Sequence, residues 1–415
     1  MEESFKTITN RIGYFLKWVF IGIIVGATAG LVGAVFHLAL GFATTTRQQN
    51  PWIIWLLPLA GLVIVYLYKI TNQLGSAGTN LVLTAIRNES EKPKLITVPL
   101  IFISTALTHL FGGSAGREGA ALQLGAGVSV FIGKKLRLSD KDMAIISMCG
   151  MSAGFSALFG TPFTATIFSM EVTSVGIMYY SAFVPSIISA IIARKIAMLF
   201  GIPKTFFSIS AVPEATILNL ARVLVLGALL AGVSYVFCLT IHKAGKFYNH
   251  LFKSAYIKIF VGGIIVSIFS LITTKYCGAG MDVIIGAIEG QSSSYYDFIL
   301  KIILTAITLG AGFKGGEIVP AFFTGATFGS AYSKFLGLPS GFGGAIGLIG
   351  VFCASTNCPL SAVALGLELF GAEGLIFFSV VSAVSYMLSG YTGLYSEQKI
   401  MYSKYRAEYI NKKTE

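Results

Sequence analysis

What most limits the fold of this chain is the recurrence, from one end to the other, of long runs without a charged side chain. They are Trp18 to Thr46, Pro51 to Tyr68, Leu95 to Gly116, Ala144 to Met170, Val172 to Ala193, Ile259 to Thr274 and Phe335 to Leu367. Several exceed the roughly 20 residues that cross a hydrocarbon core. Only 12% of the 415 residues are charged and 55% are hydrophobic, against about 25% charged in a soluble domain. A water-facing surface cannot be built from that, so the chain is expected to be an all-α, multi-pass integral membrane protein. The first run should be a retained helix rather than a cleaved leader, because it is too long, follows Glu2 and Glu3, and lacks a small-residue cleavage site.

The net charge of +12 gathers in Lys134-Lys135-Leu136-Arg137, Arg194-Lys195, Lys243 to Lys258 and Lys399 to Lys413. These clusters lie between or after apolar runs, where basic cytoplasmic loops are expected, and they argue against nucleic-acid binding. Five cysteines lie mostly in apolar surroundings and four histidines are scattered, so neither a metal site nor a cofactor is expected. No nucleophile–base pair suggests an enzyme.

No hydrophilic run is long enough for a separate soluble domain. One membrane domain, 1–415, is expected, with halves near 14–215 and 216–398 and a short charged cytoplasmic tail at 399–415. Some apolar segments are too short to span alone, such as Gly119 to Gly133 and Ile302 to Phe313. In lipid such pieces persist only when they are buried in protein or line a watery cavity. A repeat accompanies them: Phe155, Ala157, Pro162, Ala165 and Glu171 match Phe352, Ala354, Pro359, Ala362 and Glu368, all at one offset of 197. The same offset sets Arg117 and Gly119 over Lys314 and Gly316. Two similar halves with broken helices are the pattern of a transporter whose site lies between them.

The chemistry concentrates at the breaks. Gly112 to Ala120 is a glycine-rich loop entering a short helix, where unpaired N–H groups and the positive end of the dipole make an anion site. Gly310 to Pro320 is its counterpart, and Gly75-Ser76-Ala77-Gly78-Thr79-Asn80 is a third break. Glu118 is a carboxylate inside the apolar sequence, which is costly and points to function. Ionised, it would occupy the donor cluster that an anion needs; protonated, it would leave. The alternative is a helix cap or an ion pair with Arg117. Glu171 and Glu368 read as helix-end structural carboxylates.

Gly116-Arg117-Glu118-Gly119 resembles the Gly-Arg-Glu-Gly signature of CLC anion channels and transporters. Gly316-Glu317-Ile318-Val319-Pro320 is similar to that family's Gly-x-Phe-x-Pro motif, and the break at Ser76 falls where the family has Gly-Ser-Gly-Ile-Pro. The resemblance covers nearly the whole chain. It implies an inverted-repeat bundle of tilted and partial helices, a homodimer in the plasma (inner) membrane with one pathway per subunit, Glu118 as the external gate, and Tyr395 as the inner gate. Gly116, Arg117, Gly119, Ser76, Ala77, Gly78, Thr79, Asn80, Gly316, Ile318 and Val319 would surround the anion.

Departures from the family pattern refine this expectation. The serine position becomes Ala77 if Gly78 is the second glycine, or stays at Ser76 one register earlier. The inner proton glutamate of chloride exchangers is Val172 here, and the usual Phe of the third motif is Ile318, preceded by Glu317. These changes resemble the fluoride/proton antiporter branch, in which the second glutamate is implicated in coupling. Glu317 could instead pair with Lys314. Fluoride export driven by entering protons is the main expectation; a chloride channel and a chloride/proton exchanger are the alternatives. Fluoride is small and strongly hydrated, so its site must supply close donors such as amides, hydroxyls or a protonated carboxyl.

Overall fold

Backbone groups in hydrocarbon must be paired within their own segment, and in a computed structural model the apolar runs are helices throughout. The structure describes residues 2–87, 89, 92–209, 211–291 and 293–414, with side chains from Ile8 onward. The first run lies in one 48-residue helix, α1 (Glu2–Gln49). A 3₁₀ turn at Pro51–Leu56 leads to α2 (Leu57–Ile70), α3 (Thr79–Ile86) and α4 (Thr97–Leu110). Then come α5 (Glu118–Lys135), α6 (Asp140–Phe159), α7 (Pro162–Glu171) and α8 (Phe183–Leu199). The second half repeats the order with α9 (Ile217–Leu251), α10 (Ala255–Ser270), α11 (Met281–Ile288) and α12 (Asp297–Gly310). It ends with α13 (Ile318–Tyr332), α14 (Ser340–Thr356), α15 (Pro359–Phe370) and α16 (Leu375–Leu388).

Among the described residues, 5 helical segments are long and apolar enough to cross a membrane unaided. The others are partial helices. Two charge-free runs are each broken in two: Gly160 (φ 70°) ends α6 before Pro162 starts α7, and Asn357 (φ 58°) ends α14 before Pro359 starts α15. Proline suits the first turn of a helix, whose N–H groups have no helical partner.

The halves are inverted relative to each other, and a pair of carboxylates shows it. Glu171, at the end of α7, accepts from the N–H groups of Leu360 (3.1 Å) and Ser361 (2.9 Å) and from the Ser361 hydroxyl (2.5 Å). Glu368, near the end of α15, accepts from the N–H groups of Phe163 (3.2 Å) and Thr164 (2.8 Å) and from the Thr164 hydroxyl (2.7 Å). Each helix therefore caps the start of the other, so the two run antiparallel.

The repeat register needs one correction. Helix starts match at a spacing of 200 from α4 and α12 through α6 and α14, and only the proline restarts are 197 apart. The difference lies inside α14, which has 17 residues where α6 has 20. Three residues are close to one helical turn, so the restart keeps nearly the same face. Consequently Gly316 is the partner of Gly116, not of Gly119, and Arg117 corresponds to Glu317, not to Lys314.

Helices that carry the site are packed backbone to backbone. A Cβ at Gly125 would collide with the Gly150 carbonyl, and one at Gly325 with the Gly347 carbonyl, so α5 meets α6 and α13 meets α14 with no room for side chains. Small residues that permit close approach replace the hydrophobic effect as the packing device in lipid.

The C-terminal segment is not a loose tail. Strand β2 (Lys399–Tyr402) pairs in parallel with β1 (Ser174–Val175) and antiparallel with β3 (Tyr409–Lys413). Glu415, the last residue of the expected tail, lies outside the described residues.

Candidate anion site

Two glycine-rich loops, one from each half, meet before the starts of α5 and α13. Gly116 and Gly316 form an antiparallel bridge, Gly116 N–H donating to the Gly316 carbonyl at 2.7 Å and Gly316 N–H to the Gly116 carbonyl at 2.8 Å. Around the bridge, His109 Nε2 lies 3.1 Å from the Gly116 carbonyl, and Arg47 Nη1 donates to the His109 carbonyl. Ser114 N–H donates to Thr308 Oγ1 at 3.1 Å, tying the first loop to α12. The loops are thus fixed by polar contacts buried in an apolar frame.

Glu118, the first residue of α5, is fully buried. Its Oε2 accepts from its neighbour Arg117 N–H (3.0 Å) and from Val319 N–H on α13 (3.3 Å). Oε1 lies 3.6 Å from Arg117 Nε and has no hydrogen-bond partner among the described residues. The carboxylate therefore lies across both helix starts and takes donors from each half. By geometry the first N–H groups of α5 have no helical acceptor, and Ala121 N–H opens that helix's ladder onto the Arg117 carbonyl at 3.0 Å. On α13, Val319 N–H is taken by Glu118, and Pro320 has none to give.

Two cavities approach these loops, one at Arg117 and the other at Glu317. One, of about 520 Å³, is lined by Arg47, His109, Arg117, Lys275 and Asp282 among others. The other, of about 240 Å³, is lined by Thr79, Asn80, Gln123, Lys314, Glu317 and Tyr395. In the smaller cavity Gln123 Nε2 donates to the Gly119 carbonyl (3.0 Å) and to Thr79 Oγ1 (3.3 Å). Glu317 reaches the same spot, since a Cβ at Gly119 would lie 3.4 Å from its Oε2. Tyr395 is 2% exposed and its hydroxyl has no partner among the described residues.

This arrangement can be set beside known proteins. The sequence model of a family described as voltage gated chloride channel matches residues 60–390. The chain belongs to that family. A chloride/fluoride channel protein of Pseudomonas syringae pv. tomato (strain ATCC BAA-871 / DC3000) is 34% identical over 400 residues, 94% of this chain and 88% of that one. Among solved structures, a CLC-type fluoride/proton antiporter is similar with TM-score 0.89 and 31% identity, covering 92% of this chain and 98% of that one. A slow cyanobacterial Cl⁻/H⁺ antiporter has TM-score 0.78 at 19% identity, covering 90% and 94%, which bears on the fold alone. The protein is thus a multi-pass membrane protein of the CLC family.

Within this CLC frame the three breaks converge as follows. Arg117, Val319 and Gly116 lie against the Glu118 carboxylate, a Cβ at Gly316 would meet the Gly119 N–H at 2.7 Å, and Ile318 is the buried first residue of α13 beside Val319. Thr79 Oγ1 lies 3.4 Å from the Gly119 carbonyl, so the third break joins them through Thr79. Gly78 is the N-cap of α3 with φ 61°, a conformation side chains rarely adopt. Ser76, Ala77 and Asn80 line the smaller cavity, and the Asn80 side chain bonds to Ser396 Oγ (3.1 Å) and Glu397 N–H (3.3 Å). Lys314 does not pair with Glu317 among the described residues; its Nζ sits 4.7 Å from the centre of the Tyr68 ring. Val172 is buried outside both cavities, its carbonyl accepting from Gln398 Nε2 at 2.9 Å. Gln123 escaped the sequence reading. As the one uncharged amide in the apolar run from Gly119 to Gly133, it carried the signal that flags polar residues within membranes.

Proposed function

We propose that the chain exports fluoride in exchange for protons. The observation that carries this reading is the Glu118 carboxylate held by Arg117 N–H and Val319 N–H across two helix starts. A carboxylate in that place competes with a halide for the same donors. Protonation removes its charge, frees the donors, and supplies an O–H that a small, strongly basic anion accepts well. Fluoride as the anion is supported by the likeness to the fluoride/proton antiporter over almost its full length. Glu317, in the smaller cavity and without an ion pair among the described residues, is the second proton carrier. Tyr395 is the gate at that cavity.

The side on which Tyr395 lies is cytoplasmic. The basic hairpin Lys399 to Lys413 follows Tyr395 directly, and His242, beside the basic segment from Lys243, lies 3.1 Å from the Leu394 carbonyl, which supports that orientation by the positive-inside rule. The host membrane is the plasma membrane, where hydrogen fluoride enters as a neutral acid and dissociates within. Proton entry then drives the trapped anion out. The subunit pairs with a second copy through the face that exposes Phe163 of α7 and Leu360 and Leu367 of α15, while other exposed apolar side chains meet lipid.

A passive channel is the second reading, favoured by Val172 where a titratable residue would serve a proton path. Purified protein in liposomes loaded with fluoride or chloride decides between them, with efflux followed by electrode and protons by pH. Antiport gives fluoride efflux that draws protons uphill. Chloride efflux faster than fluoride efflux, with no proton movement, would refute it.

A further inference from the structure

The smaller cavity is bordered by Leu394 and Tyr395, and the transport reading uses only Tyr395 from the segment 394–398. Its backbone is held with unusual redundancy. The Tyr395 carbonyl accepts from Gln398 N–H (2.8 Å) and also from the Thr414 hydroxyl (2.5 Å). Thr414 N–H in turn donates to the Gln398 carbonyl at 3.0 Å. Gln398 is fully buried and donates to the carbonyls of Val172 (2.9 Å) and Thr356 (2.7 Å), while its Oε1 accepts from Asn357 Nδ2 (3.0 Å). The hairpin is anchored again at Lys404, whose Nζ donates to Asn357 Oδ1 (2.5 Å), the Tyr386 carbonyl (2.9 Å) and Ser389 Oγ (3.1 Å).

The Gln398 N–H already satisfies the Tyr395 carbonyl. The second bond, from Thr414, is therefore not needed to avoid an unpaired buried group; its consequence is position. The tip of the same residue is the opposite case, since the Tyr395 hydroxyl points into the cavity with no partner among the described residues. Tyr395 is thus locked at its backbone and free at its tip. Strand β1, on which β2 is laid, begins three residues after Glu171, so the hairpin also reads the position of α7.

We propose that the β2–β3 hairpin is a strap that sets how far Tyr395 reaches into the inner mouth, with Thr414 as its positioning residue. This rests on the gate role of Tyr395 given above. Loosening the strap widens the mouth and lets anions pass without waiting for a proton.

The test compares Thr414→Val, which removes the hydroxyl, with Thr414→Ser, which keeps it, each in the whole protein in liposomes. One hydrogen bond corresponds to about a five-fold shift in the balance between closed and open gate. Thr414→Val should therefore raise fluoride efflux by up to about five-fold and lower the protons moved per fluoride, while Thr414→Ser behaves as the parent. In a Tyr395→Ala background, Thr414→Val should add nothing. If Tyr395→Ala changes flux and Thr414→Val does not, or if the two effects add, the strap is overturned and the gate stands. If Tyr395→Ala leaves flux and coupling unchanged, the gate reading itself fails. Retained solubility and monodispersity of Thr414→Ser, with loss of both in Thr414→Val, would make the bond a folding contact and also overturn the proposal.

Discussion

Gly116 and Gly316 exchange both backbone hydrogen bonds, at 2.7 and 2.8 Å, so the two halves of the CLC chain touch first through glycine. Neither position has room for a side chain. A Cβ at Gly116 would lie 2.6 Å from Glu118 Oε2 and 3.0 Å from the Gly316 carbonyl, and one at Gly316 would lie 2.7 Å from Gly119 N. Two of those contacts are backbone and cannot swing away. Overpacking costs about 1–3 kcal/mol, which here falls on the geometry of the anion site. Gly316→Ala should slow fluoride efflux by roughly ten-fold or more while the protein still purifies; transport at the parental rate would show that the bridge tolerates a methyl.

The Glu118→Gln substitution keeps the side chain's shape and removes its proton chemistry. An amide oxygen still accepts from Arg117 N–H and Val319 N–H, but it carries no charge to compete with an anion for those donors. Fluoride should pass, and protons should not follow it. Flux measured with paired fluoride and pH electrodes should show the proton-to-fluoride ratio falling by at least about ten-fold. Glu317→Gln should lower the same ratio with Glu118 intact. Unchanged coupling in either variant would return that carboxylate to a packing role.

Glu171 and Glu368 occupy equivalent places, yet their removal should not cost the same. Glu171 is 5% exposed, whereas Glu368 is only half-buried, so the donors that Glu171 satisfies are enclosed more completely within the subunit. Hydrogen bonds to a charged group contribute about 1.5–3 kcal/mol. Glu171→Ala should lower the apparent unfolding midpoint by several degrees more than Glu368→Ala, measured by thermal shift in detergent. In both, the protons moved per fluoride should match the parent, because each carboxylate is taken up by three donors at the opposite helix start.

Transmembrane character and the positions of the breaks were legible because charge and glycine are read residue by residue. Gly112 to Gly119 stood out in that way, and the structure brings that loop to the one at Gly316. The register between the halves was not legible. The five matched pairs around Pro162 and Pro359 share an offset that holds only from the last turns of α14 onward, and a deletion inside a continuous apolar helix leaves no mark in composition. The C-terminal hairpin was hidden for another reason. Its two strands have only 4 and 5 residues, of mixed apolar and basic side chains, and β2 forms against Ser174–Val175, more than two hundred residues away in sequence. Pairing of that kind is a property of tertiary structure.

The same hairpin has a tether that responds to acid. Lys399 Nζ lies 2.5 Å from Glu89 Oε1, and Arg87 Nε lies 2.9 Å from Glu89 Oε2. Burial acts to raise the Glu89 carboxyl, but the hydrogen bonds from Arg87 and Lys399 outweigh it and hold the group below its ordinary value of 4.5. A carboxyl whose folded value is depressed contributes its full stability above the ordinary value, and that contribution disappears as pH falls through the folded value. The site is largely exposed, so the pair is worth only about 0.2–1 kcal/mol and weakens with salt. Glu89→Gln should therefore lower the unfolding midpoint by about 1 °C at neutral pH, and β2 should be cut more readily by protease. The gap between parent and variant should narrow as pH falls below the carboxyl's ordinary value of 4.5 and close once pH lies below its depressed folded value. A gap that persists at that pH would mean the carboxylate's charge is not what holds the hairpin.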